Sequence, residues 1–279
     1  MATRQSTSKV IADLRGVTAD SFRKPLLVPA WWRGTSAFLT LLMLFLRDFV
    51  RGPWVWFNVG GVVLAHLVFF GNAPSRGNFF SVAYVTTLLL SALSTSGIFS
   101  RANHRHTYPI LARRISKTSF VAAGMLASWI IGMLTYVLTA LLVMVRYKVL
   151  AAGGGAGWLT WETLVMGSVT IAVGAIFAVA LMTLLSNFVS SFLVRMITLA
   201  VMTISVMAFD PRSFPIENLQ PIMARIPPLF APVIGAIQYA SSENPDTVAR
   251  ASVLTVAAFA TTITGIIWWL SARGEVVVE

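Results

Sequence analysis

Charge is scarce in this sequence. Asp, Glu, Lys and Arg make up 11% of its residues, where a soluble domain carries about a quarter. So few charges cannot cover a water-facing surface. Cysteine is absent, which excludes disulfides, thiolate metal sites and a cysteine nucleophile. No Gly-x-x-x-x-Gly-Lys-Ser/Thr run occurs, so the chain lacks the phosphate cradle needed to hydrolyse a nucleotide. Gly153-Gly154-Gly155-Ala156-Gly157 is Gly-rich but no lysine follows it, and it reads as a turn between spans. His104 and His106 stand at i, i+2 without a nearby carboxylate, among basic residues from Arg101 to Lys117 that would repel a cation. No Asp-rich metal motif or Ser/His/Asp set is present. The expectation is a chain with no catalytic residue and no metal of its own.

Apolar residues are plentiful: 57% of 279, with mean hydropathy +0.78. That composition belongs to an all-α integral membrane protein. A helix crossing the hydrocarbon needs about 20 largely apolar residues, and intervals free of charge locate the candidates. They lie between Arg51 and Arg76, Arg76 and Arg101, Lys117 and Arg146, Glu162 and about residue 186, and Arg250 and Arg273; a further one from about residue 190 to Asp210 holds Arg195 near its start, where it can snorkel to the interface. The first is expected to be helical from about Pro53 to Phe70. Six spans follow, forming a bundle over residues 53–270. Residues 1–33 contain Arg4, Lys9, Arg15, Arg23, Lys24 and Arg33 but no long apolar run, so the first span is expected to act as the insertion signal.

Two pieces stand apart from that count. Residues 34–46 are uncharged but too short to cross. Phe38, Leu41, Leu42, Phe45 and Phe49 share one helical face, with Thr40, Arg47 and Arg51 opposite. This is the pattern of an interfacial helix over 34–52, with Gly52-Pro53 as its break; the other reading makes it the start of span one. Residues 219–242 hold Pro221, Pro227, Pro228 and Pro232, which forbid one straight helix. They read as a re-entrant helical hairpin between spans five and six, its backbone covered by protein or water.

Basic residues orient the chain. With the N-terminus in the cytoplasm, segments 1–52, 100–117, 187–195 and 271–279 are inside and hold 15 of the 21 basic residues against five of the ten acids. The outer segments are nearly balanced. The expected location is the cell membrane, multi-pass, with residues 1–33 and the tail 271–279 cytoplasmic. The net charge of +11 is thereby accounted for without nucleic acid.

Polar groups inside the spans are the candidate functional residues. His66 is the ionisable side chain expected at mid-depth, either as a substrate contact or proton relay or as a neutral histidine bonded within the bundle. Thr87, Ser91 and Ser94 recur at i, i+4 and i+7 in span two, and Thr198 and Ser205 at i, i+7 in span five. Such stripes suit the wall of a mildly polar substrate path, and they suit close helix packing equally.

After span two the chain carries Phe99-Ser100-Arg101, then Tyr108-Pro109-Ile110-Leu111-Ala112-Arg113-Arg114-Ile115-Ser116-Lys117-Thr118-Ser119-Phe120 and Ala123-Gly124-Met125-Leu126-Ala127. These residues, with the order of interfacial elbow, six spans and re-entrant hairpin, resemble the permease subunits of ABC-2 type transporters. The family often places acidic residues just after span two, and Arg101 to Lys117 contains none. The resemblance implies a membrane subunit that pairs with a second copy or a paralogue. It also implies binding to cytoplasmic ATPase subunits, which hold ATP and Mg. The loop after span two would be the coupling element, with Tyr108, Leu111 and Ile115 as its apolar edge and Arg105, Arg113 and Arg114 around it. A basic loop held by anionic lipid is the other reading of those residues. The expected function is export of an apolar or amphiphilic substrate such as a lipid, glycan-lipid, drug or peptide. An ion-coupled secondary carrier and a non-transporting assembly component remain as alternatives.

Overall fold

The computed structural model describes residues 30–70, 74–102, 116–150, 157–188, 231–242 and 245–273. The chain divides into two units, Met1–Ala37 and Phe38–Glu279. Of the first, only residues 30–37 are described, as the opening turns of helix α1 (Ala30–Arg51). The second holds α2 (Trp54–Phe69), α3 (Arg76–Ala102), α4 (Lys117–Met144), which continues as a π-helical turn over Val145–Leu150, α5 (Trp161–Phe188), α6 (Ala231–Ser241) and α7 (Thr247–Arg273). The described residues are all helix and connections, with no strand.

Four helical stretches are long and apolar enough to cross a membrane: Arg76–Phe99, Thr118–Tyr147, Trp161–Ser186 and Thr247–Arg273. A fifth candidate is the bent pair Phe38–Arg51 and Trp54–Phe69, which meet at 64°. The protein is therefore multi-pass by helix length and composition. The surface agrees. Leu64 is 63% exposed, Leu67 66% and Leu254 71%, an outer face that lipid tolerates and water does not. Exposed Trp56, Trp161, Trp268 and Trp269 sit near the ends of their helices, where an indole meets the headgroup layer. Arg273 folds back over the Trp269 ring at 3.8 Å, burying its stem while its head stays at the helix end.

Local signals explain the helix ends. Gly52 and Pro53 break α1 from α2, because proline cannot donate to the preceding turn. Ser116 caps α4, its hydroxyl accepting from Ser119 N at 3.1 Å. Asp246 does the same for α7, accepting from Ala249 N at 2.7 Å. These bonds satisfy amides that have no partner inside the helix.

Close approaches set the registers. A methyl added at Gly61 would meet the Leu90 side chain at 3.2 Å, and one at Gly97 the Trp54 ring at 3.0 Å. The two pairs run in opposite directions along the chain, so α2 and α3 are antiparallel. Gly132 lies against Ser91 and Gly124 against Phe99, which makes α3 and α4 antiparallel as well. Gly167 receives Phe80 and Gly174 receives Tyr84, a parallel α3–α5 pair. α3 is thus the central helix, touching α2, α4, α5 and α6. Lipid gives helices little hydrophobic reason to associate, so small residues that admit close contact carry the packing.

At one end of the bundle α1 lies with Leu41, Leu42 and Phe45 buried against Phe99, Phe120, Ala127 and Ile267. Phe45 meets Phe120 edge-on at 5.2 Å. The amphipathic face read from the sequence is therefore spent on the helix ends beneath it, while Thr40, Arg47 and Arg51 stay exposed. The opposite end gathers the end of α2, the starts of α3, α5 and α7, and the ends of α4 and α6. Gly77 of α3 approaches Ser241 of α6 there. α6 has eleven residues, about 16 Å at 1.5 Å each, which is half a crossing.

Several expectations lie outside the described residues. These are the fifth span at 190–210 with Thr198 and Ser205, the part of the proline-rich hairpin before residue 231, most of the glycine-rich turn, and residues 103–115 with Arg105, Tyr108, Leu111, Arg113, Arg114 and Ile115.

Candidate functional site

The interior of the bundle is polar along one seam. Tyr84, Thr87, Ser91 and Ser94 fall at i, i+3, i+7 and i+10 on α3, one helical face. Ser128, Thr135 and Thr139 form the matching face of α4, with Gly132 between them. All these hydroxyl side chains are buried. Most serine and threonine hydroxyls in the bundle bond back to their own helix. Thr95 donates to Ser91 O at 2.7 Å, Ser128 to Gly124 O at 2.9 Å, Thr139 to Thr135 O at 2.9 Å and Thr183 to Val179 O at 2.8 Å. That is the ordinary way for a small hydroxyl to sit inside a helix.

Where α2, α3 and α4 meet, the pattern changes. Asn58 of α2 is 5% exposed. Its Nδ2 donates to Trp54 O at 3.0 Å and to Ser94 Oγ at 3.2 Å. Its Oδ1 faces Thr135 Oγ1 at 3.4 Å, while the Thr135 proton has a nearer acceptor in Ile131 O at 2.9 Å. The amide oxygen is thus only weakly met. One amide bridges three helices through side chains.

Three hydroxyls above this bridge stand alone. Among the described residues, Tyr84 Oη, Thr87 Oγ1 and Ser91 Oγ are buried without a hydrogen-bond partner. Ser91 abuts Gly132 and Tyr84 abuts Gly174, where the opposing helix offers no side chain to bond. Of the residues singled out in the sequence, Ser91 and Ser94 therefore belong to one junction, with Thr87 one turn further along. Among the described residues, Thr87, Ser91 and Ser94 are buried against neighbouring helices.

His66 lies in the last turn of α2, which ends at Phe69. Arg146, in the π-helical turn, places Nη1 3.1 Å from His66 Nε2. A guanidinium has only donors, so Nε2 accepts and the ring proton sits on Nδ1. The imidazole is then neutral, and among the described residues its Nδ1 has no partner. Around this contact Tyr147 donates its hydroxyl to Phe70 O, and Trp158 Nε1 donates to Pro74 O at 3.0 Å. Phe79 stands between Phe70, Phe80 and Trp158, with ring centroids at 6.0, 5.0 and 5.4 Å. This is an aromatic cluster beside the Arg146 guanidinium.

Asn58 and Arg146 were not identified from the sequence as interior polar partners. Asn58 had a signal: it is the lone amide in the apolar run Trp54–Phe69. The Arg146–His66 contact had none, since it joins residues 80 apart. Among the described residues no group of His, Asp and Glu is arranged to hold a metal ion. No protein-family model matches the chain, and no curated protein matches it as a relative.

Proposed function

We propose that this chain is the transmembrane permease subunit of an ATP-driven exporter, powered by ATPase subunits on a separate polypeptide. The observation that carries the reading is the entry to the bundle. An amphipathic helix lies on the helix ends and turns by 64° at Gly52-Pro53 into an apolar helix. That arrangement supports reading α1 and α2 as the interfacial elbow and first span on which the ABC-2 resemblance partly rests. The half-length helix α6 beside the full-length α7 supports the same order of elements. In this reading α1 is the elbow, the bundle has six spans, and α6 is the second limb of a re-entrant hairpin.

The permease sits in the cell membrane with both termini cytoplasmic, paired with a second copy or a paralogue. The loop carrying Arg105, Tyr108, Leu111, Arg113, Arg114 and Ile115 engages the ATPase. ATP binding, with Mg, closes the ATPase pair and pushes that loop, and the spans tilt to open a path outward. The interior is lined by hydroxyls and an amide, and it holds no carboxylate among the described residues. An amphiphilic or apolar substrate suits such a lining better than a small ion.

The test is purification of the tagged chain from its own host in mild detergent. A P-loop protein held in stoichiometric amount, with vanadate-sensitive ATP hydrolysis in lipid, is the expected result. A stable preparation without such a partner, or transport driven by an ion gradient alone, would transfer the assignment to a secondary carrier.

A further inference from the structure

The seam on α3 contains a contradiction that a purely structural interface would avoid. Buried polar groups are nearly always hydrogen-bonded, since burying them unpaired is costly. Yet Tyr84, Thr87 and Ser91, each at most 1% exposed, present three unpartnered hydroxyls on one face of one helix. Other hydroxyls of the same bundle find a carbonyl one turn back, so the unpaired state does not follow from residue type. The opposing surfaces are Gly132 and Gly174, set so close that a methyl group would collide with Ser91 Oγ or Tyr84 Oη. The seam is closed tightly, and it is closed over groups that prefer water or another polar partner.

What holds α3 there differs from what holds its neighbours. α4 and α5 are stitched by Trp129 Nε1 to Ala172 O at 3.2 Å and Tyr136 Oη to Leu164 O at 2.8 Å. Along the seam, α3 is bonded to α2 and α4 through Asn58, by way of Ser94 and Thr135. From the antiparallel register, Thr87 lies at the height of Leu64 and Ala65 on α2, about two turns beyond Asn58. The unpaired hydroxyls therefore run from the Asn58 bridge toward the end of the bundle that holds His66 and Arg146.

We infer that this is a closed state in which Asn58 is the latch, and that the Thr87–Ser91 face of α3 becomes the wetted wall when the latch parts. The face takes water and uncharged polar groups, because it offers hydroxyls and an amide oxygen and no charge. Opening lets the Thr87 and Ser91 hydroxyls gain partners, which offsets the packing lost at Gly132. The inference deepens the permease reading by naming its gate, but the opening it describes needs no ATPase to be observed.

The absence of native cysteine makes the test direct. Ser91→Cys and Thr87→Cys are introduced singly, with Ala92→Cys as control. Ala92 sits beside Ser91 at the same depth and is fully buried in the main core. Labelling by a small water-soluble, membrane-impermeant thiol reagent is timed in native membranes opened to both sides. Each is then repeated with Asn58→Leu, and with Ser94→Ala in case the first variant accumulates poorly. The expected result is a rise in labelling rate at positions 87 and 91 of about three- to tenfold. That lies within the range by which one interhelical hydrogen bond in a membrane shifts an equilibrium. The control should not change. Unchanged rates at 87 and 91 would overturn the latch, and so would an equal rise at 92, which marks general loosening. A preparation that binds an ATPase but shows no latch effect keeps the permease reading and loses this one. The reverse result separates them the other way.

Discussion

Replacing Gly132 by alanine should separate close packing from helix preference. The added methyl would overlap Ser91 Oγ, stand 3.1 Å from Ser91 Cβ and touch Ala175 Cβ at 3.8 Å. Ser91 is wholly buried, so its hydroxyl has no solvent to turn into, and either the hydroxyl swings toward its own helix or α3 gives way from α4. Such overpacking costs about 1–3 kcal/mol. Alanine also gains on glycine within a helix, by up to ~1 kcal/mol, which would blur a single measurement. Gly60→Ala removes that ambiguity. Nothing lies within 4 Å of its added methyl, so it receives the helix gain alone. The difference between the two variants isolates the overpacking term, and corresponds to roughly five- to 150-fold in the folding equilibrium. The assay is unfolding of both proteins in the same detergent, by heat or by titrated SDS. Gly132→Ala should unfold distinctly earlier than Gly60→Ala, and Ser91→Ala added to it should recover part of the loss, because neighbouring changes are not additive. Equal midpoints for the two glycine variants would refute the register assigned to α3 and α4.

Other outcomes follow from single contacts. Tyr147→Phe removes the hydroxyl bond to Phe70 O and should lower stability by about 0.5–1.5 kcal/mol, read in the same unfolding assay. Ser116→Ala and Asp246→Ala each delete a helix cap and should cost about 1 kcal/mol apiece; midpoints equal to the parent would count against the ends assigned to α4 and α7. Thr160 and Ser116 are exposed at opposite ends of the bundle. With the N-terminus inside, Thr160→Cys should react with an impermeant reagent on intact cells and Ser116→Cys only after permeabilisation. The opposite pattern would invert the topology.

The long apolar helices were legible because the hydrocarbon excludes charge. The interval after Arg51 predicts a helix from about Pro53 to Phe70, and α2 runs Trp54–Phe69. The interval before Arg273 predicts the last span, and α7 ends on that residue. The rule falters at Arg146, where the helix continues into a π-helical turn. There the guanidinium has His66 as an acceptor, so the charge does not end the element. The face read from Phe38, Leu41, Leu42, Phe45 and Phe49 is the more buried side of α1, yet sequence alone could not say that Leu41, Leu42 and Phe45 would be covered by Phe99, Phe120 and Ile267. The hydroxyl stripe on α3 stood undecided for a physical reason. Whether a serine packs or lines a path depends on what faces it, and Gly132 lies 41 positions away on another helix. Asn58 escaped notice because a neutral amide gains meaning only from partners, and Ser94 and Thr135 come from two other helices.

The most direct test of the account is coupling through the loop after α3. Leu111→Ala and Arg113→Ala are compared with the parent in proteoliposomes that contain the co-purified ATPase, measuring ATP hydrolysis and substrate export together. The account predicts that both variants fold, insert and retain α3–α4 packing, while export per ATP hydrolysed falls sharply or ATPase binding is lost. Full export in both variants, at the parent's ratio of transport to hydrolysis, would contradict it.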